Sequence, residues 1–595
     1  MSSSARSSTR PASLSDRVLA AVALLLVAEA VVMWAGAELA AVFHGTPGAL
    51  APSAALAATL SLAAHAGHPG LAWPSSKRAL LPGPVPYWAA TAGVQVGVIA
   101  LGAWAWARLG PGRAGGWRLF RKERPGFAPR AEVRANLGEA AVRARAKTVR
   151  PSVKAHSACM AEIGIHLGKD VSSGLSLYGS HEDSYLVLGP PRSGKGVSII
   201  IPGVLDTPGA AVVTATRPDT LRATGGLRAK GRPVVVFDPQ GISGFTQRLA
   251  WSPVHGCEAP EVAILRGSGL AAGAGFQGST TDADYWTRCA AIVLQCYLHA
   301  AALGELTMRD VISWAARPAD PTPIAILRGA KGAAEGWAER LSAEAASDPR
   351  RRDSVWSGVG RALDCLAHPG VLAACSPPPK AAFDAKDFLD KRGTIYLVGS
   401  PGAQLSVAPL ITALVEDLAE TARRLAAGSP GTRLDPPLSL WLDEAANIAP
   451  LPSLPQLLSD GGGTGIATVM VLQSLAQARH RWGEAQADAV WDAATLKVVL
   501  PGLAHAEDLS RISRLAGEVD EETLSRSRGP GGETTSTSIR RVPALPLDRL
   551  RNLAQGHAIV LHRRTPPIEA VLAPWWERPC AEAVRACLAT SGPVP

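Results

Sequence analysis

Ser184-Tyr-Leu-Val-Leu-Gly-Pro-Pro-Arg-Ser-Gly-Lys-Gly-Val-Ser-Ile-Ile-Ile201 is the stretch on which the reading of this 595-residue chain turns. Ser184 to Leu188 is short and wholly apolar after its first residue, as befits a strand buried on both faces. Val197 onward has the pattern of a helix start. Between them Gly189, Pro190, Pro191, Arg192, Ser193, Gly194, Lys195 and Gly196 spell G-x-x-x-x-G-K-G. Glycines at those places let backbone amides turn inward and cradle phosphates, and the lysine reaches the β- and γ-phosphates. The helix start, including Val197, adds its partial positive charge. A strand before and a helix after make this an ATP-binding loop rather than a chance match. One position departs from the pattern. The residue after the lysine ordinarily carries a hydroxyl for Mg²⁺, and here it is Gly196. Ser198 lies two residues further on, a spacing that points it to another side of the helix. No hydroxyl ligand is assigned: either a water takes that place or hydrolysis is weak.

Far downstream, Pro437-Leu-Ser-Leu-Trp-Leu442 is a second apolar strand ending in Asp443-Glu444. In such ATPases the first acid orients Mg²⁺ and the second polarises the attacking water. Asp443 is therefore the expected metal-associated residue, and Lys195, Asp443 and Glu444 the expected catalytic ones. A third strand, Gly465 to Leu472, ends at Gln473, which is placed to sense the γ-phosphate or, equally, to cap a helix.

Further strand patterns occur at Ala210–Thr214, Pro233–Asp238, Thr394–Val398 and His557–His562, whereas Cys257 to Asp390 has helical periodicity throughout. The expectation is an α/β nucleotide-binding domain in two parts, 171–256 and 391–576, split by an all-α insertion at 257–390. Within the second part, Ser525 to Ser538 is Gly-, Ser- and Thr-rich without periodicity and reads as a disordered loop. The tail, 577–595, holds one short helix, Ala581 to Leu588, suited to partner contact.

Toward the N-terminus, Val18–Phe43 and Trp88–Trp106 are long and apolar enough to cross a bilayer, which takes roughly 20 residues. Glu29 and Glu38 interrupt the first. Arginines before the first span and after the second place residues 1–17 and everything after 106 in the cytoplasm, with 44–85 outside. The anchor is thus 18–106, and residues 107–170 read as a basic linker. Arg108 to Lys154 carries thirteen cations against three acids, which alone matches the net charge of +10 of the whole chain. Such a segment suits a phosphate backbone, an anionic membrane surface, or simple anchoring. The eight cysteines show no C-x-x-C pair and no zinc-ligand spacing, so free, mostly buried thiols are expected.

Taken together, GPPRSGKGVS at 189–198, Val235-Val-Phe-Asp-Pro-Gln-Gly241, Gly393-Thr-Ile-Tyr-Leu-Val-Gly399, LWLDEAANIAPLPSLP at 440–455 and Val471-Leu-Gln473 with Gln477 resemble the TraG/TraD-type coupling proteins of type IV secretion, the actinobacterial branch in particular. The resemblance covers roughly 15–575, and Gly-Lys-Gly occurs in that family. It implies a RecA-like P-loop domain with an inserted all-α domain, preceded by a two-helix transmembrane anchor in the bacterial inner membrane. It also implies a homo-hexameric ring using ATP and Mg²⁺ to move DNA, or DNA bound to a relaxase, toward the secretion channel. A trans-acting arginine would complete each site, with Arg479, Arg481, Arg511 and Arg514 as candidates. Two rivals share the motifs. An FtsK-like DNA translocase is disfavoured by the short tail, and a non-hydrolysing membrane receptor is favoured by Gly196 but opposed by the retained Lys195, Asp443 and Glu444.

Overall fold

The computed structural model describes residues 14–48, 50–109, 124–238, 241, 243–245, 249–274, 283–378, 381–399, 404–529 and 532–590. The chain divides into two compact units, Met1–Phe120 and Arg121–Pro595.

In the first unit, the helices Leu14–Phe43 and Pro84–Leu109 each contain a segment, Leu26–Phe43 and Pro84–Gly102, long and apolar enough to cross a membrane. They pack through small residues. A Cβ on Gly36 would lie 2.6 Å from the Cα of Thr91, and Ala37, Ala40 and Ala41 are buried beside it. Close backbone approach of this kind is how apolar helices associate where no water drives them together. Glu29 accepts a hydrogen bond from Gln95 Nε2 at 3.3 Å, and Glu38 accepts one from the Leu50 amide at 3.0 Å. Both acids that interrupt the first apolar run are thereby partnered. The connecting segment folds into short helical turns, among them Ala55–Leu62, around Trp73, whose indole donates to Tyr87 Oη at 3.1 Å.

The second unit is built on an eleven-stranded sheet. Its strands are β1 (Gly164–Asp170), β2 (Ser176–Ser180), β3 (Tyr185–Leu188), β4 (Ala211–Ala215), β5 (Val234–Phe237), β6 (Thr394–Val398), β7 (Leu438–Asp443), β8 (Ile466–Leu472), β9 (Leu496–Val499), β12 (His557–His562) and β13 (Thr565–Val571). A separate hairpin pairs β10 (Glu518–Gly529) with β11 (Gly532–Pro543). The sheet order is β2-β1-β13-β12-β9-β3-β8-β7-β4-β6-β5. From β9 to β5 all neighbours are parallel, and the rest are antiparallel. The parallel strands are predominantly apolar along their length, as strands buried on both faces are. β3, which carries the phosphate loop, lies beside β8, and β8 lies beside β7 with its Asp-Glu pair, so the phosphate loop meets two loops that follow it by more than 250 residues at the carboxyl ends of adjacent strands.

The described residues of 257–390 are largely helical, from Pro260–Ala274 and Ala283–Leu303 to Ala385–Asp390. They share one core with the sheet, in which Trp251, Leu270, Val293, Leu294 and Val359 pack with Leu397, Leu414 and Leu440.

Two expectations differ from the structure. Residues 107–170, read as a linker, contain the helices Arg130–Asn136 and Glu139–Val149 and the strand β1, which joins the main sheet through β13. Three cations of that stretch are tied to remote parts of the fold, Arg124 by Glu569, Arg145 by Asp183 and Arg150 by Asp435, while Arg143 pairs locally with Glu139. The Gly/Ser/Thr-rich stretch at 525–538, read as a disordered loop, lies in the β10–β11 hairpin, in regular register from Glu518↔Pro543 to Gly529↔Gly532. Antiparallel pairing satisfies backbone groups whatever the side chains, so a polar hairpin carries no apolar period to find. The tail helix, Ala581–Thr590, packs Val584 against Ile201 and Ala223 of its own chain and leaves Leu588 exposed.

Candidate nucleotide site

The loop after β3 has the backbone that its sequence requires. Arg192 has φ +66° and Gly194 φ +90°, the left-handed conformations that turn successive amides to one side. Gly189 donates its amide to the Leu472 carbonyl at 2.9 Å, stitching the loop's start to the end of β8. A side chain there is excluded, since its Cβ would lie 2.6 Å from Leu500 and 2.7 Å from Ser193 Oγ. After Lys195 the chain makes one wide π turn, Gly196–Ile200, before the helix Ile201–Asp206. Pro202 has no amide to donate to Ser198 and would press on that carbonyl, which accounts for the widening. Ser198 itself lines a small internal cleft with Tyr185, Val187 and Trp441, on the core side of the helix.

Lys195 Nζ lies 3.4 Å from Asp443 Oδ1 and 3.4 Å from Glu444 Oε1. Glu444 Oε1 also accepts from Gln473 Nε2 at 2.7 Å, and Glu444 Oε2 from Asn447 Nδ2 at 3.2 Å. Glu444 stands at φ +53°, a strained conformation for a residue with a side chain, at the N-cap of the short helix Ala445–Ile448. Thr214 Oγ1, from the end of β4, donates to the Asp443 carbonyl at 2.7 Å and fixes that strand end. The Gln473 amide is in turn bonded to Gln477 Oε1 at 3.2 Å, in the helix Leu475–Trp482.

Burial raises the pKa of the Asp443 carboxyl and the neighbouring Glu444 charge adds to that, against the opposing pull of Lys195. Asp443 Oδ1 is buried and has only the lysine ion pair, without a directed hydrogen bond; Ser193 Oγ is buried and unpartnered too. Buried polar groups without partners are rare and mark places meant for something else. An inward-turned amide loop, an ammonium and an acid with a spare oxygen fit a triphosphate and a divalent cation. At Gly196 a Cβ would meet nothing within 4 Å, so the missing hydroxyl is not a steric necessity.

The structure therefore brings Lys195, Asp443, Glu444 and Gln473 into one contiguous cluster beside the loop Gly189–Val197. Sequence reasoning missed Thr214 and Asn447. The spacing of Asn447 three residues after Glu444 on a helical turn is the signal that could have found it. Of the four arginines considered for a neighbouring site, three are engaged within the chain. Arg479 pairs with Asp508, Arg481 with the Ala272 and Gly273 carbonyls, and Arg511 with Asp488 over the Trp491 ring. Among the described residues, Arg514 reaches only the Ser510 carbonyl of its own helix.

Fold and site define a P-loop nucleotide-binding protein of the RecA-like kind with an inserted all-α domain. The family model described as "Type IV secretory system Conjugative DNA transfer" matches residues 132–250, and that described as "TraM recognition site of TraD and TraG" matches 437–555. In these two segments the chain is similar to the TraG/TraD-type coupling proteins of type IV secretion. Protein VirD4 of Rhizobium rhizogenes is 25% identical over 399 residues, covering 64% of this chain and 57% of that protein. Conjugal transfer protein TraG of Escherichia coli is 23% identical over 329 residues, covering 51% of this chain and 50% of that protein. The chain thus spans between half and two thirds of the length of the relatives it matches. Among solved structures, the unbound conjugative coupling protein TrwBΔN70 has the same fold, with a TM-score of 0.51 at 18% identity, over 68% of this chain and 88% of that one. TrwB in complex with a non-hydrolysable ATP analogue matches with a TM-score of 0.50 at 17% identity, over 69% and 89%.

Proposed function

We propose that this chain is a membrane-anchored, ATP-driven coupling protein that recruits DNA, alone or bound to a relaxase, and drives it into a type IV secretion channel. The observation that carries the ATPase reading is the Glu444 carboxylate, held at both oxygens by Gln473 and Asn447 next to Lys195. An acid kept in place at the rim of a phosphate loop is what orientation of an attacking water needs. In this reading the amides of Gly189–Val197 and Lys195 bind the phosphates, Asp443 holds Mg²⁺, Glu444 takes the water's proton, and Gln473 reports the γ-phosphate. Mg²⁺ would supply charge neutralisation between the β- and γ-phosphates. The bound ATP analogue in TrwB supports the nucleotide, and the two apolar helices of the first unit support an inner-membrane, two-span anchor with the larger unit in the cytoplasm. A homo-hexamer with DNA in a central channel follows the family resemblance. Phosphate contacts in such a channel would be insensitive to sequence and would weaken with salt.

Gly196 favours a second reading, a substrate receptor that binds nucleotide without turning it over. One experiment separates the two: ATP hydrolysis by the full chain in detergent, with and without single- and double-stranded DNA, beside Lys195→Ala and Glu444→Gln. The motor reading expects DNA-stimulated turnover, lost by about 100-fold or more in Glu444→Gln with nucleotide still bound. In Lys195→Ala nucleotide binding itself should weaken. Absence of turnover in every condition, with ATP bound, would establish the receptor instead.

A further inference from the structure

Arg481 stands at the far end of the helix Leu475–Trp482 from the nucleotide site. Its Nη2 donates to the Gly273 carbonyl at 2.6 Å and approaches the Ala272 carbonyl at 3.4 Å. These are the last carbonyls of the helix Pro260–Ala274, in the all-α insertion. Burial depresses the pKa of the guanidinium, and no carboxylate pairs with it among the described residues. A desolvated cation without an acid is costly, and an apolar side chain would fill the place more cheaply. What compensates it is the negative end of the helix dipole, whose terminal carbonyls have no intrahelical donors.

The same short helix is tied at its beginning to the catalytic cluster. Ser474 caps it by accepting the Gln477 amide at 3.3 Å, and Gln477 Oε1 accepts the Gln473 amide at 3.2 Å. Gln473 then donates to Glu444 at 2.7 Å. Eight residues of helix, roughly 12 Å at 1.5 Å each, thus join the Glu444 carboxylate to the insertion. At the insertion end there is no slack. A Cβ on Gly273 would lie 2.4 Å from the Cα of Pro409, and one on Gly269 2.8 Å from that of Ala413, so the helix Pro260–Ala274 is locked onto Gln404–Ala427. Elements packed that closely shift as bodies rather than deforming.

We propose that Arg481 is a positioning residue that clasps the all-α insertion to the nucleotide site, so that any shift of the helix Pro260–Ala274 moves Leu475–Trp482 and changes how Gln473 holds Glu444. An arginine committed in this way to carbonyls of its own chain does not serve a neighbouring subunit. The proposal rests on the ATPase reading for its kinetic consequence, and on the nucleotide site alone for its structural one.

The test uses the full chain in detergent, as wild type, Arg481→Met and Arg481→Lys. Steady-state turnover gives kcat and KM, a fluorescent ATP analogue gives Kd, and hydrogen exchange of residues 260–274 is followed with and without a non-hydrolysable analogue. Arg481→Met should lower kcat by about 10-fold with KM and Kd moving less than about 2-fold, and Arg481→Lys should recover part of it. The analogue should alter exchange at the end of Pro260–Ala274 in the wild type and not in Arg481→Met. Wild-type kcat and wild-type exchange in Arg481→Met would overturn the clasp. So would a rise in Kd that accounts for the whole loss, or restoration of turnover on mixing with Lys195→Ala subunits, the signature of action in trans. If the wild type does not hydrolyse ATP, the ATPase reading falls, and the exchange comparison decides the clasp by itself. Should Arg481→Met fail to fold, Arg481→Lys carries both readouts, because it keeps the charge and loses the planar guanidinium that reaches the Gly273 carbonyl.

Discussion

Lys195 faces two adjacent carboxylates, and the balance among the three charges shapes the site before any ligand arrives. Asp443 is the member held against its preference, since burial and the Glu444 charge raise its pKa. An acid whose folded pKa is raised costs stability while it is ionised, and that cost fades as pH falls through the raised value. Asp443→Asn should therefore melt above the wild type by about 2 °C near neutral pH, a gap that closes on acidification, while Mg²⁺-dependent nucleotide binding is lost. Differential scanning fluorimetry across pH measures the first and a fluorescent nucleotide titration the second. A variant that melts lower at neutral pH would mean that the acid is structural. Gly196 offers the opposite experiment. Open space surrounds its Cβ direction, so Gly196→Thr should fold as the wild type does and tighten the Mg²⁺ dependence of nucleotide binding by several-fold, about 1 kcal/mol. No change would mean that Asp443 and water already complete the cation's shell.

At the scale of elements, the helix that follows the phosphate loop is seated by a single close contact. A Cβ on Gly203 would lie 1.9 Å from the Trp441 ring, and Trp441 is itself fixed by donating to Thr207 Oγ1 at 2.9 Å. Trp441 belongs to β7, two residues before Asp443, so this contact sets the phosphate-loop helix against the Asp-Glu strand. Gly203→Val should destabilise the unit by about 3 kcal/mol through overpacking and weaken nucleotide binding beyond what the stability loss explains. Urea unfolding followed by tryptophan fluorescence, beside a nucleotide titration, reads both. The β10–β11 hairpin is a different kind of element. Leu524 and Ile539 are exposed on one face of it, and an isolated two-stranded ribbon is marginal in water. Replacing residues 522–539 by a short glycine turn should leave the melting temperature of the chain within about 2 °C, because the hairpin adds little to the core.

Across the whole molecule, charge pairs tie together parts of the chain that lie far apart in sequence. Arg150 meets Asp435 at 2.6 Å and Arg563 meets Asp183 at 2.9 Å, and Arg124 is paired with Glu569. Each joins the region before the phosphate loop to the second half of the nucleotide domain. Burial pushes the Asp183 carboxyl up, but His562, the Ser180 amide and Arg563 more than offset it and bring the pKa down to about 2. A depressed folded pKa gives stability that is present above the unfolded value near 4 and lost as pH falls through the folded one. Stability should accordingly drop by about 2 kcal/mol between roughly pH 4 and pH 2 from this group, and Asp183→Asn should flatten that part of the acid-unfolding curve. An unchanged curve would place the acid sensitivity elsewhere.

The sequence by itself determined the parallel strands of the sheet other than β9, the phosphate loop and the Asp-Glu strand. Strands buried on both faces must be apolar along their whole length, and a loop that wraps phosphate is built from neighbouring residues, so both leave local patterns. The helical insertion was legible for the same reason. What only the tertiary structure decided depends on partners remote in the chain. β1 is short and contains polar residues; it pairs along its length with the neighbouring β2, and its place in the main sheet is set by β13, some 400 residues later. The basic stretch before the phosphate loop looked like a free cationic surface, yet three of its described arginines close ion pairs that no spacing announces. Gln473 remained readable as sensor or cap until Glu444 was seen beside it. Arg481 looked like a surface or subunit-facing arginine until the carbonyls of Ala272 and Gly273 were found around it. Local sequence writes propensity and motif, whereas the counter-charge of a buried group is supplied by whichever segment the fold brings alongside.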